Sequence, residues 1–179
     1  MSAIIDGSVG SQFPTTIGVG NATPSASGAG ITFPATQSAS TDANTLDDYE
    51  EGTFDVTVTM STSGTCTMDS SYNKMRYTKI GRMVTIQGQV QVSSVSSPVG
   101  GMRMSLPFAI GVLDEGSNLS GCVPRLYDVL KPASGLYPYV FVQETNAYMS
   151  MQWVTDNSGT IDHIPAAGDY FIINFSYFV

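Results

Sequence analysis

Basic residues are scarce in this chain of 179 residues. Lys and Arg number 7 against 15 Asp and Glu, the formal net charge is −8, and no Lys or Arg precedes Lys74. Phosphate binding needs a clustered basic face, so this charge distribution excludes a nucleic acid as a partner. The purely acidic N-terminal part would also be repelled by an anionic membrane surface.

Cysteine and histidine are equally rare. Cys66 and Cys122 lack the C-x-x-C spacing of a redox or zinc motif, which leaves two alternatives, buried free thiols or a pair formed in space. His163 is the single histidine, and no G-x-S-x-G elbow accompanies it. These absences predict no catalytic residues and no cofactor.

Metal ligands are no better represented. Asp156, Asp162 and Asp169 fall in one loop-rich stretch where calcium is an alternative. They lack the alternating order of acidic residues found in calcium loops. We therefore expect no metal site.

Long apolar runs and a leader pattern are also missing. No stretch approaches the ~20 apolar residues of a membrane-spanning helix, and Met1 is not followed by a basic segment and an apolar core. We expect no membrane insertion and no secretion.

Alternation of apolar and polar residues is abundant instead. It is clear in TFDVTVTM (53–60), RMVTIQGQVQV (82–92), GMRMSLPF (101–108) and DYFIINFSYFV (169–179). Such period-2 patterns predict half-buried strands. Gly81 between two such runs predicts a hairpin, and further strands are expected at 119–127, 137–143 and 147–154. The predicted fold is all-β, a jelly-roll-like β-sandwich over residues 46–179.

Residues 1–45 have a different composition. About two-thirds are Ser, Thr, Gly, Ala or Pro, which cannot form a core of its own. We predict an extended low-complexity arm that mediates attachment and oligomerisation by docking on other copies or a larger assembly. Its scattered apolar residues are the candidate anchors: Ile4, Ile5, Phe13 and Ile17.

The acidic cluster NTLDDYEEGT (44–53) lies where the arm meets the predicted domain. Its carboxylates are sequence neighbours, whereas a glycosidase needs two held roughly 5–9 Å apart across a cleft. A helical turn at 45–50 is the simpler interpretation, since Asn44 or Thr45 would cap it and acidic residues suit its first turn.

The same stretch carries a family resemblance. GITFPATQSASTDANTLDDYEEGTF (30–54), then YTKIGRMVTIQGQV (77–90) and LPF (106–108), resembles a domain that recurs in bacteriophage tail fibres, tail spikes and related virion appendages. FDVT at 54–57 departs from it, because an aromatic residue and a proline are more usual there. The resemblance implies an all-β, often trimeric appendage module without catalytic residues to transfer.

The resulting functional hypothesis is a bacteriophage virion structural protein assembled in the host cytoplasm. It would be a short homotrimeric fibre or spike, attached to other virion proteins by its arm, that binds host-surface carbohydrate. Three alternatives stay open: a capsid-decorating head fibre or a tail adaptor, both without a receptor role, and a glycan depolymerase. A bacterial adhesin would need the secretion signal that is missing.

Aromatic residues of the C-terminal half are the candidate receptor-binding residues. Exposed aromatic rings offer an apolar face and a polar edge to sugars. The candidates are Tyr137, Tyr139, Tyr148 and Trp153. The alternative is that these rings pack the core or a subunit interface. Trp153 shares a strand face with Met149 and Met151, which favours its burial, whereas Tyr148 lies on the opposite face.

Overall fold

The computed structural model describes residues 16–37, 39–42, 44–112, 118–127, 129, 136–143, 145–155 and 159–179. These residues form fourteen β-strands and no helix. The described part of the chain therefore contains no helix of the length and apolarity needed to cross a membrane. The all-β prediction is confirmed.

Two compact units make up the chain, Met1–Glu50 and Glu51–Val179. In the first unit, strands β1 (Thr16–Gly18) and β2 (Gly30–Thr32) form a parallel pair. A Cβ on Gly18 would lie 2.0 Å from the carbonyl oxygen of Ala22, so the turn that follows β1 needs glycine there. Residues 16–32 thus fold back on themselves, whereas an extended conformation was predicted.

The predicted helical turn at 45–50 is wrong. Residues 45–48 have no regular structure, and a strand begins at Tyr49. The carboxylate of Asp47 accepts hydrogen bonds from the Ser40 amide (2.7 Å) and from Gln37 Nε2 (3.3 Å). Since Asp47 bonds residues earlier in the chain, it does not supply the first turn of a helix.

The remaining strands, in chain order, are β3 (Tyr49–Asp55), β4 (Val58–Met60), β5 (Ser63–Met68), β6 (Lys74–Ile80), β7 (Met83–Val99), β8 (Met102–Ser105), β9 (Asn118–Cys122), β10 (Arg125–Tyr127), β11 (Leu136–Gln143), β12 (Tyr148–Thr155), β13 (Thr160–Asp162) and β14 (Tyr170–Phe178).

Two sheets of six strands contain them. The β7 sheet has the order β10-β14-β7-β6-β3, and β5 pairs with the C-terminal half of β7. The β12 sheet has the order β4-β8-β12-β11-β9, and β13 pairs with the C-terminal half of β12. The pairings of β7 with β5, β6 and β14, and of β12 with β8, β11 and β13, are antiparallel. Such sheets can leave one face free to meet solvent.

The core lies between the sheets and is built by alternate residues of each strand. The β7 sheet contributes Met75, Val84, Ile86, Val90, Val92, Phe171, Ile173 and Tyr177, and the β12 sheet contributes Met102, Met104, Val140, Val142, Met149, Met151 and Trp153. These side chains are at most 2% exposed. The predicted β-sandwich is therefore confirmed.

Two local predictions had different outcomes. The hairpin is confirmed, because Ile80 pairs with Met83 around a two-residue turn in which Gly81 has φ +55°. The single strand at 53–60 is wrong, because the chain leaves the β7 sheet after Asp55 and enters the β12 sheet at Val58. Val56 between them is 2% exposed, so the alternation of burial continues across the change of sheet.

Candidate functional site

The outer face of the β12 sheet carries a row of aromatic side chains on β11. Leu136, Val140 and Val142 point into the core, so the intervening residues point outward. Tyr137 is 64% exposed, and the rings of Tyr139 and Phe141 are nearly parallel, 6° apart in plane, with centroids separated by 5.9 Å.

A second aromatic position lies at the start of β12. Tyr148 is opposite Ser105 in the pairing with β8, and Arg103 is opposite Ser150. The Arg103 guanidinium lies 4.7 Å from the centroid of the Tyr148 ring. It makes no hydrogen bond or ion pair with any residue that the structure describes, so the ring alone holds it in place.

A carboxylate and an amide complete the face. Gln152 pairs with Tyr139 on one side and with Asp162 on the other. Its Nε2 donates to Asp162 Oδ1 at 2.9 Å. Gly101 makes room for this carboxylate, because a Cβ there would lie 2.9 Å from Asp162 Cγ.

These groups surround a shallow depression of about 170 Å³. Its lining comprises Ser61, Gly101, Arg103, Phe141, Gln143, Tyr148, Ser150, Gln152 and Asp162. Apolar ring surface thus adjoins a cation, a carboxylate and several amide and hydroxyl groups. We call the outward residues Tyr137, Tyr139, Phe141 and Tyr148, together with this depression, the aromatic surface.

Three of the four predicted binding residues lie on the aromatic surface: Tyr137, Tyr139 and Tyr148. Trp153 does not, because it points into the core beside Met149 and Met151 and is 2% exposed. A ligand on the outer face cannot reach its ring. The choice of Trp153 as a binding residue is therefore corrected.

Sequence reasoning missed Phe141, Arg103 and Gln152, and it considered Asp162 only as a calcium ligand. Phe141 had a signal, since it continues the alternation of Tyr137 and Tyr139 along YPYVF. The other three had none, because they lie on strands β8, β12 and β13, and the pairing that brings them together cannot be read from local sequence.

His163 forms a second, buried constellation with Trp153 and Asp169. Trp153 Nε1 donates to His163 Nδ1 at 3.2 Å, and His163 Nε2 lies 2.9 Å from Asp169 Oδ2. His163 and Asp169 are 3% and 1% exposed. An indole N–H can only donate, so Nδ1 accepts and Nε2 carries the proton that bonds Asp169. The group joins the loop before β14 to the core and is closed to solvent.

The predicted absence of a calcium site concerned Asp156, Asp162 and Asp169. Asp156 lies outside the described residues. Asp162 is exposed on the outer face of the β12 sheet, whereas Asp169 is buried beside His163, so the structure does not bring these two together. Within the described ranges no three His, Cys, Asp or Glu side chains are placed to hold a metal ion.

Cys66 and Cys122 are both free and half-buried. Burial, followed by the negative charge of Asp169, raises the pKa of the Cys66 thiol to about 11. Burial also raises the pKa of Cys122. A thiol kept protonated is a poor nucleophile, so neither cysteine is a candidate for covalent chemistry.

Of the predicted arm anchors, Ile17 lies on β1 opposite Ile31 and is half-buried. Ile4, Ile5 and Phe13 lie outside the described residues.

The outer face of the β7 sheet carries two larger depressions, of about 370 and 400 Å³, which both include Arg76 and Gln87. The lining of the first is mainly polar, whereas Ile172 and Ile173 help to line the second. Tyr77, which borders the first, packs against Phe54 and Phe108. The smaller depression on the β12 sheet combines exposed rings with polar groups and is therefore the better candidate site.

No protein-family model and no curated protein matches the chain. Among solved structures, it is similar to the crystal structure of the Dettilon tailspike protein, with a TM-score of 0.60 and 20% sequence identity. The match covers 72% of this chain and 23% of the tailspike chain. The similarity shows a shared fold, and the chain spans less than a quarter of the tailspike chain that it matches.

Proposed function

We propose that this protein is a structural component of a bacteriophage virion appendage, a short trimeric fibre or spike, and that its aromatic surface binds saccharide on the host cell. The fold shared with a tailspike protein and the NTLDDYEEGT junction motif at 44–53 support the virion assignment. The constellation of rings and polar groups on the outer β12 sheet carries the binding assignment.

Sugar binding follows from the chemistry of this surface. The apolar C–H face of a sugar ring packs on aromatic side chains, which Tyr137 and the Tyr139–Phe141 pair supply. Sugar hydroxyls need donors and acceptors at the edge of those rings, and the hydrogen-bonded Gln152–Asp162 pair supplies both. The surface belongs to one antiparallel sheet, so binding requires little rearrangement.

Binding without hydrolysis is the mode of action that we propose. A glycosidase of the usual type needs two carboxyl groups roughly 5–9 Å apart, one on each side of the scissile bond. Among the described residues that line the depression, Asp162 is the one carboxylate. Wild-type protein should therefore release no reducing ends from a polysaccharide that it binds.

Attachment to the particle is assigned to residues 1–45. Their composition lacks the apolar residues for an independent core, and Ile4, Ile5, Phe13 and Ile17 are the proposed contacts with other virion proteins. The same segment is proposed to join three copies.

Adsorption of virions to host cells tests the proposed function. Tyr137→Ala and Tyr148→Ala should each lower the adsorption rate severalfold, because each removes ring surface from the binding face. Their melting temperatures and oligomer masses should stay at wild-type values, since neither ring belongs to the buried core.

Tyr72→Ala is the matched control. Tyr72 is 38% exposed and packs edge-on against Tyr170 of the β7 sheet, so its loss should leave adsorption unchanged. Wild-type adsorption by both aromatic-surface variants would favour a head fibre or tail adaptor without a receptor role. Loss of stability together with adsorption would assign the two rings to the fold.

A further inference from the structure

We propose that the depression on the aromatic surface selects a carboxylated saccharide, such as a uronic acid or a sialic acid, and that Arg103 binds its carboxylate. This inference rests on the proposed function, that the surface binds saccharide, and names the class of sugar.

The state of Arg103 is the first argument. Its guanidinium stacks over Tyr148 at 4.7 Å, and no described residue accepts a hydrogen bond from it. A guanidinium presents donors in a planar fork that matches a carboxylate in two parallel hydrogen bonds. Because the ring already orients the group, binding an anion costs little further side-chain entropy.

The charge balance of the chain is the second argument. With 15 acidic and 7 basic residues, an arginine of this protein has many carboxylates to pair with. Asp162 lines the same depression, yet it bonds Gln152 and forms no ion pair with Arg103. The cation therefore remains available to a ligand anion.

The two ends of the depression then have different roles. Arg103 and Tyr148 hold the carboxylate end of the sugar. Asp162 and Gln152 accept and donate to hydroxyls, which an acidic sugar also carries. A neutral sugar would satisfy the second end and leave the guanidinium without a partner.

The test uses the full-length protein and oligosaccharides of glucuronate, galacturonate, mannuronate and N-acetylneuraminate. Each is paired with its counterpart in which the carboxyl is reduced to an alcohol. At least one acidic form should bind about tenfold or more tightly than its reduced counterpart, the range of a charge-assisted hydrogen bond. Calorimetry or a glycan array measures the ratio.

Arg103→Gln should abolish the preference for the acidic form, and Arg103→Lys should retain part of it. Arg76→Gln is the matched control, since Arg76 is an exposed arginine on the β7 sheet whose loss changes the net charge equally. It should keep the full preference. Thermal melting of all three variants checks that the fold is intact.

Equal binding of acidic and reduced forms, no binding of any acidic form, or a preference that survives in Arg103→Gln would overturn the inference. Adsorption separates this failure from failure of the proposed function. If Tyr137→Ala lowers host adsorption while Arg103→Gln does not, saccharide binding stands and carboxylate selection is wrong. If neither variant changes adsorption, both are wrong.

Discussion

His163 has a different partner at each ring nitrogen, and the two partners together set its tautomer. Trp153 donates to Nδ1, so Nε2 must hold the proton that bonds Asp169. Asp169 Oδ2 also accepts from the Ala166 amide at 2.9 Å. One buried imidazole thus links the core of the β12 sheet to the loop that leads into β14.

Replacing His163 with alanine should destabilise the sandwich strongly. The change removes the acceptor of the Trp153 indole and a donor to Asp169. Each buried polar group left without a hydrogen-bond partner lowers the free energy of unfolding by about 1–3 kcal/mol. Urea unfolding measures the loss. Ser94→Ala is the control, because Ser94 is exposed on β7, and should change stability little. A His163→Ala protein as stable as this control would mean that the hydrogen bonds contribute nothing net.

Cys66 gives a prediction for alkaline pH. Burial and then Asp169 raise the pKa of its thiol from an ordinary value of 9.0 to about 11. Between those values the unfolded chain releases the proton and the folded chain keeps it. The folded state then binds more protons, so stability falls as pH rises through this window.

Urea midpoints at pH 8 and at pH 10.5 test this direction in wild type and in Cys66→Ala. The variant should lose less stability between the two pH values. Cys122 and Tyr177, whose pKa values are also raised by burial, keep contributing in both proteins. Identical declines would show that Cys66 ionises alike in the folded and unfolded states.

At the scale of elements, β7 pairs with three other strands, as β12 does. It pairs with β6 and β14 over its first half and with β5 over its second. Ile86, in the first half of β7 between Tyr77 of β6 and Phe175 of β14, is fully buried. Ile86→Ala should cost about 2–5 kcal/mol, as a large-to-small change in a core does.

Thr85→Ala is the register control for that prediction. Thr85 faces outward and shares a hydrogen bond of 2.7 Å with Ser176, so its loss should cost about 1 kcal/mol or less. Chemical denaturation of both variants gives the two values. Equal losses would place the strand one residue out of register, since such a shift exchanges the two faces.

The faces of these strands could be predicted because period 2 is a local property. Val84, Ile86 and Val90 alternate with polar residues in the sequence and are buried in the structure. The change of sheet after Asp55 has no such signal, since Val56 and Val58 continue the alternation without a break. The change shows only in long-range backbone hydrogen bonds: the Val56 amide donates to the Asn73 carbonyl beside β6 at 2.6 Å, whereas the Thr57 carbonyl accepts from the Ser105 amide of β8 at 2.9 Å.

The candidate site, too, could be predicted only where it depends on alternation along a single strand. Tyr137 and Tyr139 could be placed on one face of β11 by alternation alone. Arg103 and Asp162 meet in the same depression only because β8 and β13 pair with successive halves of β12, and pairing between distant strands is not encoded in local pattern. Asp47 shows the same limit, since its partners Ser40 and Gln37 precede it in the chain.

At the scale of the whole molecule, the two units differ in the apolar residues that they can bury. The buried hydrophobic cluster comes from Val56 and residues that follow it, whereas residues 1–45 are mostly small and polar. A sandwich that contains its own core should fold without the arm. An arm without a core should gain its stability from partners.

Deleting residues 1–43 separates these roles. The truncated protein should keep the circular dichroism of a β-protein and melt cooperatively, because both six-stranded sheets remain. It should elute as a monomer, whereas the full chain should elute at about three times its 19.0 kDa. Virions assembled with it should lack the protein. Stoichiometric copurification of the truncated chain with virions would place the attachment contacts within residues 44–179, and a trimeric truncated chain would place the oligomer interface there too.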